Sequence, residues 1–177
     1  MKTRTLGLLL AGLALLSSCT QKSEEALMCI PRAVPSQVVP PSEPCDSFTS
    51  SFALKNPAGM ANSSFARGEA VTLELKITNN ASSTKSLQVP DGCAQVQLEV
   101  DSNDPVCRVY SNAADGPCTQ VVMQSSYAPG ETKTFTAQWP QTGSSGRPAA
   151  SGSYTAYAID RTQCGARFFA SQSLTVR

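Results

Sequence analysis

From residue 48 onward, hydrophobic and polar residues take turns along the chain. In "AVTLELKIT", Val71, Leu73, Leu75 and Ile77 fall on one side, while Thr72, Glu74, Lys76 and Thr78 fall on the other. A period of two is what an extended strand with one buried face requires. "QVQLEV" repeats the pattern with Val96, Leu98 and Val100, and "TKTFTAQW" repeats it with Phe135, Ala137 and Trp139. "SGSYTAYAID" and "RFFASQSLTV" follow, parted by "RTQCGA", and "FTSSFAL" is an earlier strand suited to a sheet edge. Turn formers such as "NNASST" separate these runs, and no stretch sustains helical spacing. About seven short strands with turn signals between them predict an all-β, antiparallel sandwich. A barrel of similar strand count is the alternative. Trp139, Phe135 and Tyr154 are expected in the core.

The first residues carry a different pattern. Lys2 and Arg4 precede an unbroken run of Leu, Ala and Gly over residues 6–16. That is a basic region followed by an apolar one of export-signal length, well short of the ~20 residues a membrane-spanning helix needs. The run ends in Leu16, Ser17, Ser18 and Cys19, which resembles the lipobox of bacterial lipoproteins. By that resemblance residues 1–18 are a signal peptide, and Cys19 becomes the new N-terminus, bearing a diacylglycerol on its sulfur and an acyl chain on its amino group. Two or more chains hold a protein at a membrane where one does not. Thr20, rather than Asp, follows the lipid-bearing residue, which by the same analogy favours the outer membrane. Residues 19–47 are polar and carry Pro31, Pro35, Pro40, Pro41 and Pro44. Proline at that density forbids a helix and predicts an extended linker between membrane and domain. The sandwich is then expected over residues 48–177.

Charge and cysteine content narrow the function. With Lys2 and Arg4 set apart, twelve basic residues face thirteen acidic ones, so no basic face for nucleic acid is implied. The chain has no histidine, which removes the commonest general base and the commonest nitrogen ligand for metals. No Gly-x-Ser-x-Gly elbow and no Cys-x-x-Cys pair is present. The sequence therefore predicts no enzyme, no cofactor and no metal site. Asp101 and Asp104 in "DSNDP" are candidates for paired carboxylates or calcium ligands, but the expected reading is an Asx-rich turn linking strands. "DGC" at residues 91–93 is also read as a turn. With Cys19 lipidated, six of the seven cysteines remain, and an even number in an exported chain reads as a disulfide framework.

The pieces also come in a familiar order. "GEAVTLELKITNNASSTKSLQVPDG", then "QVQLEV", "YAPGETKTFTAQW" and "SGSYTAYAI" together resemble the BsuPI domain, named for an intracellular bacterial proteinase inhibitor. The shared features are the strand ending in "TNN", the "PDG" run, the "PGE" turn before a strand ending in Trp, and a Gly-x-Tyr strand opening, spread over residues 69–176. The resemblance implies an immunoglobulin-like sandwich and inhibition of a proteinase.

Two loops are candidates for binding. "RVYSNAADGPC" lies between Cys107 and Cys118 and contains Asp115 and Gly116; "PQTGSSGRPAASG" presents Arg147 before Pro148 and reads as flexible. Nearness in sequence predicts the disulfides Cys107–Cys118 and Cys29–Cys45. The immunoglobulin-like topology implies a third, Cys93–Cys164, because the B–C and F–G loops share one end of such a sandwich. The expected function is a lipid-anchored, non-catalytic binding or assembly module of the cell envelope, whose partner is another envelope protein or a proteinase. The alternative is a surface or periplasmic proteinase inhibitor presenting a disulfide-braced loop.

Overall fold

The structure, a computed structural model, describes residues 45–90, 92–103, 106–113, 118–119, 121–143 and 146–177. Its strands are β1 (Phe48–Lys55), β2 (Ser64–Phe65), β3 (Val71–Asn79), β4 (Lys85–Val89), β5 (Val96–Asn103), β6 (Val106–Ser111), β7 (Met123–Tyr127), β8 (Thr132–Trp139), β9 (Gly152–Asp160) and β10 (Ala170–Val176). Among the described residues, helix is confined to a 3-10 turn at Cys45–Ser47 and the single turn α1, Gly165–Phe168. One sheet has the order β1-β3-β8, the other β2-β10-β9-β5-β6, and β4 and β7 pair as a separate ribbon. The pairings are antiparallel, except for the two-residue β2 alongside β10. This is an immunoglobulin-like sandwich. β1, β3 and β8 stand as strands A, B and E, while β5, β9 and β10 stand as C, F and G.

The period-two runs do what the pattern asked of them. Val71, Leu73, Leu75 and Ile77 of β3 are each 0% exposed. Trp139, Ala137 and Phe135 lie opposite Val71, Leu73 and Leu75 across the β3–β8 ladder, and Leu54 and Phe52 flank them from β1. At roughly 1.5–3 kcal/mol for each large aliphatic side chain buried, this one face is a principal stabiliser of the fold. Trp139 packs on Tyr154 with ring centroids 5.1 Å apart, and its indole N–H donates to the Thr142 carbonyl. At the other end of the sandwich Phe48 stands edge-on to both Tyr127 and Phe168.

Two strands of the three-stranded sheet, β3 and β8, are entered through the same turn, used twice. Ala66, Arg67, Gly68 and Glu69 lead into β3; Ala128, Pro129, Gly130 and Glu131 lead into β8. In each, the Glu amide donates to the Ala carbonyl and the Glu carboxylate accepts from the Ala amide, closing a ring from both sides. The third residue is Gly at φ +80° or +73°, where a side chain would be strained.

The second of these turns is joined to the "TNN" strand end. Asn79 continues the inward-facing run of β3 and is 0% exposed. Its Nδ2 donates to the carbonyls of Ser83, Tyr127 and Ala128 at 3.0 Å, and its Oδ1 accepts from the Ala81 amide. Its own amide donates to the Glu131 carbonyl, and its carbonyl accepts from the Gly130 amide. "TNN" and "PGE", far apart in sequence, therefore form one hydrogen-bonded unit around buried Asn79.

The disulfides differ from those expected. Cys45 is bonded to Cys164, with Cα atoms 5.5 Å apart, and Cys93 to Cys118, with Cα atoms 5.2 Å apart. The expected pairs Cys93–Cys164, Cys107–Cys118 and Cys29–Cys45 do not form. The strand assignment that suggested Cys93–Cys164 is right, and Cys164 does sit in the β9–β10 loop. Strand A supplies the partner, because antiparallel pairing of Phe48 with Asn79 brings the start of β1 to that same end. Cys107 belongs to neither disulfide; it is buried near the start of β6. Four residues of strand at ~3.3 Å each carry the chain away from it before the segment leading to Cys118 begins. Cys45 packs in the core at 2% exposure, so the sandwich takes it in. Cys19, Cys29 and the proline-rich tail to residue 44 lie outside the described residues.

Candidate functional site

The end of the sandwich that holds both disulfides is the most elaborately built part of the molecule. Asp160 closes β9 there and is 3% exposed. Thr162 donates its hydroxyl proton to Asp160 Oδ2, and Gln95 Nε2 reaches both Asp160 Oδ1 at 3.5 Å and the Tyr127 hydroxyl at 2.9 Å. The Cys164 amide donates back to Thr162 Oγ1. Burial raises the Asp160 carboxyl from 3.8 to about 6, outweighing the hydrogen bonds that favour its charged form. One buried carboxyl thus ties the β9–β10 loop, the start of β5, β7 and the Cys45–Cys164 disulfide together.

The β4–β7 ribbon stands against this base. The Gln163 amide donates to the Gln88 carbonyl, and the Gln88 amide donates to Gln163 Oε1, so the β9–β10 loop grips β4. Tyr127, at 0% exposure, fixes the other strand. Tyr127 accepts from Gln95 and Asn79, and the Lys133 ammonium sits 4.4 Å above its ring and donates to Ser125 Oγ. At the far end of the ribbon, where Val89 faces Met123, the Cys93–Cys118 disulfide continues the closure. The Gly92 amide donates to the Thr119 carbonyl at 2.6 Å. A Cβ on Gly92 would fall into Thr119, which is why the "PDG" run ends in glycine.

Between Thr119 and the ladder the chain presents apolar side chains to solvent. Val121 is 60% exposed, Val122 61% and Met123 39%. Sequence reasoning passed over these three. The signal was present, as three consecutive large apolar residues in the uncharged stretch after Cys118, but no period marks a segment that is meant to stay outside.

The predicted site residues fare differently. The loop expected between Cys107 and Cys118 is shorter than the sequence suggested, because Val106–Ser111 form β6, and the brace on Cys118 comes from Cys93. Asp115 and Gly116 lie outside the described residues. Arg147 is exposed at the opposite end of the sandwich, in a loop that is hydrogen-bonded rather than loose. The Gly143 amide donates to the Arg147 carbonyl, Thr142 bridges Pro148, and the Ala149 amide donates to the Gln141 carbonyl. Buried Gln141, at φ +56°, ties that loop to the first Ala-x-Gly-Glu turn through bonds with Gly68 and Ala66. Asp101 is a buried strand residue at a β-bulge in β5, not part of a turn, and Asp104 lies outside the described residues. Among the described residues no three His, Cys, Asp or Glu side chains converge as metal ligands.

A family profile for BsuPI, described as an intracellular proteinase inhibitor, matches residues 59–164. The chain belongs to the BsuPI family. The BsuPI match takes in β3 to β9, both members of the "TNN"–"PGE" unit and the Cys93–Cys118 brace. No curated protein matches the chain. Among solved structures, it is similar to the β-glucosidase EmGH1 of Erythrobacter marinus at 14% identity and a TM-score of 0.44, covering 74% of this chain and 15% of that one. It is similar also to the alkylpurine DNA glycosylase AlkC of Pseudomonas fluorescens at 10% identity and a TM-score of 0.45, over 74% of this chain and 30% of that one. A β-glucosidase of Listeria innocua follows at 13% identity and a TM-score of 0.40, over 72% and 16%. The chain thus spans less than a third of each of these larger enzymes.

Proposed function

We propose that this BsuPI-family protein is a non-catalytic, lipid-anchored module of the cell envelope that binds and blocks a proteinase through Val121, Val122 and Met123, which lie between Cys118 and the β4–β7 ladder. The observation that carries this is the double anchoring of that segment: Cys118 is bonded to Cys93 on one side, and Met123 enters the β4–β7 ladder on the other. A loop fixed before docking loses little conformational entropy when it binds, which is how a short contact becomes a tight one. The absence of histidine favours binding over catalysis. Anchoring rests on the basic and apolar leader and on Cys19, with the outer membrane favoured by Thr20. The two disulfides support an oxidising compartment independently of the leader.

The test uses the full chain purified in detergent, titrated against a panel of exported serine and cysteine proteinases. Saturable inhibition is expected, and Cys93→Ser with Cys118→Ser should weaken it while the sandwich still unfolds cooperatively. Full inhibition by the doubly substituted protein would remove the braced segment from the mechanism. No inhibition across the panel would remove the proteinase as partner and leave an assembly role. Cys19→Ala should move the protein out of the membrane fraction; unchanged membrane retention would overturn the anchor.

A further inference from the structure

Building on that inhibitory reading, we propose that Val122 is the residue a proteinase reads, and that the target is a proteinase selecting small aliphatic side chains. Among the described residues, Met60, Val106, Val121, Val122, Met123 and Phe169 are the large apolar side chains left exposed. Scattered singly, such residues are ordinary on a protein surface. Three in succession are not, and they fall between the Cys93–Cys118 disulfide and the β4–β7 ladder.

Chemistry then selects the pocket. Thr119 to Ser126 carries no charge, so a proteinase that requires a basic side chain finds nothing to hold there. The exposed Arg147 lies at the opposite end of the sandwich, in a loop without a disulfide brace. Val121 and Val122 are β-branched, short and stiff at χ1, so they fill a shallow apolar pocket with little further loss of freedom. Alternation along β7 chooses between them. Tyr127 and Ser125 face the sandwich, while Ser126 and Gln124 face outward. Continuing that period places Val122 on the outward side, two residues from Gln124, with Val121 and Met123 flanking it.

The experiment measures inhibition by the full chain of an elastase-type serine proteinase, which cleaves after small aliphatic residues, and of a trypsin-type one, which cleaves after Lys and Arg. The wild-type chain is expected to inhibit the first and not the second. Val122→Asp should weaken inhibition of the first by about 100-fold or more, since a charge enters an apolar pocket. Val122→Arg should transfer inhibition to the trypsin-type enzyme. Thermal melts of both variants, expected to match wild type at so exposed a position, separate a lost contact from a lost fold. Inhibition that survives Val122→Asp, or trypsin-type inhibition lost on Arg147→Ala, would overturn the assignment while leaving the inhibitory function standing. Inhibition of neither enzyme, but of another proteinase in the panel, would overturn the aliphatic target class alone. Inhibition of none would overturn both.

Discussion

Replacing Asp160 with Asn should make the protein more stable at neutral pH. The carboxyl is 3% exposed and receives hydrogen bonds from Thr162 and Gln95, yet burial raises it from 3.8 to about 6. A group whose folded value lies above its unfolded one binds its proton more tightly when folded. Its contribution is fully present below pH 3.8 and is lost as pH rises through about 6. At ~1.4 kcal/mol for each pH unit separating the two values, the loss is about 3 kcal/mol. Glu74 works the other way: hydrogen bonding from Lys55 lowers its carboxyl despite desolvation, so its contribution is lost on acidification. The difference between wild type and variant isolates Asp160, because Glu74 is common to both. Urea denaturation at pH steps between 4 and 8 measures it. Near pH 4 the two proteins should be nearly equally stable, with Asn ahead by about 3 kcal/mol at pH 7.5, on the order of 10 °C in Tm. Parallel profiles for the two proteins would refute the reasoning, since they would mean that Asp160 ionises in the folded state as it does in the unfolded chain.

Asn79→Ala should cost about 3 kcal/mol, because it removes a fully buried side chain's bonds and strips partners from the buried Tyr127 carbonyl and the partly buried Ala128 carbonyl. Asn80→Ala, whose exposed side chain bonds only Thr49 among the described partners, should cost under about 1 kcal/mol in the same urea titration. Cys45→Ser with Cys164→Ser should lower stability by up to about 5 kcal/mol, from the 119-residue separation that the bond closes. Guanidinium unfolding of wild type should show that loss on addition of reductant, and the doubly substituted protein should not respond to the same extent.

How much of this was legible depended on whether a residue faces a uniform environment. β3 was readable because each second residue meets the same dry interior, from Val71 to Ile77, and β5, β8, β9 and β10 follow the same rule. β2, β4, β6 and β7 were not read as strands. β2 is two residues long, and β4 and β7 form a ribbon outside the two main sheets with mixed surroundings. The strand order was right, yet the disulfide inferred from it was not, because the start of β1 reaches the same end as the β9–β10 loop and competes for Cys164. "TNN" and "PGE" were visible as family marks, but that Asn79 joins them depends on a contact across 49 residues that no local pattern encodes. Asp160 reads from sequence as an ordinary strand end, and Val121, Val122 and Met123 as an undistinguished loop. Both are defined by what surrounds them.

The Cys45–Cys164 bond has a mechanical consequence. β1 is an edge strand held by its ladder to β3, and tension on the chain ahead of residue 48 would by itself unzip that ladder from Phe48 onward, one hydrogen-bonded pair at a time. With Cys45 bonded to Cys164, the load leaves the chain before it reaches β1. It passes into the β9–β10 loop, across the Gln163–Gln88 contacts, and into the β4–β7 ribbon that Val121 and Val122 lead into. A pull between a tether at the N-terminus and a partner on that ribbon would therefore run through covalent bonds and a short bridge at one end of the molecule, bypassing the β1–β3 ladder.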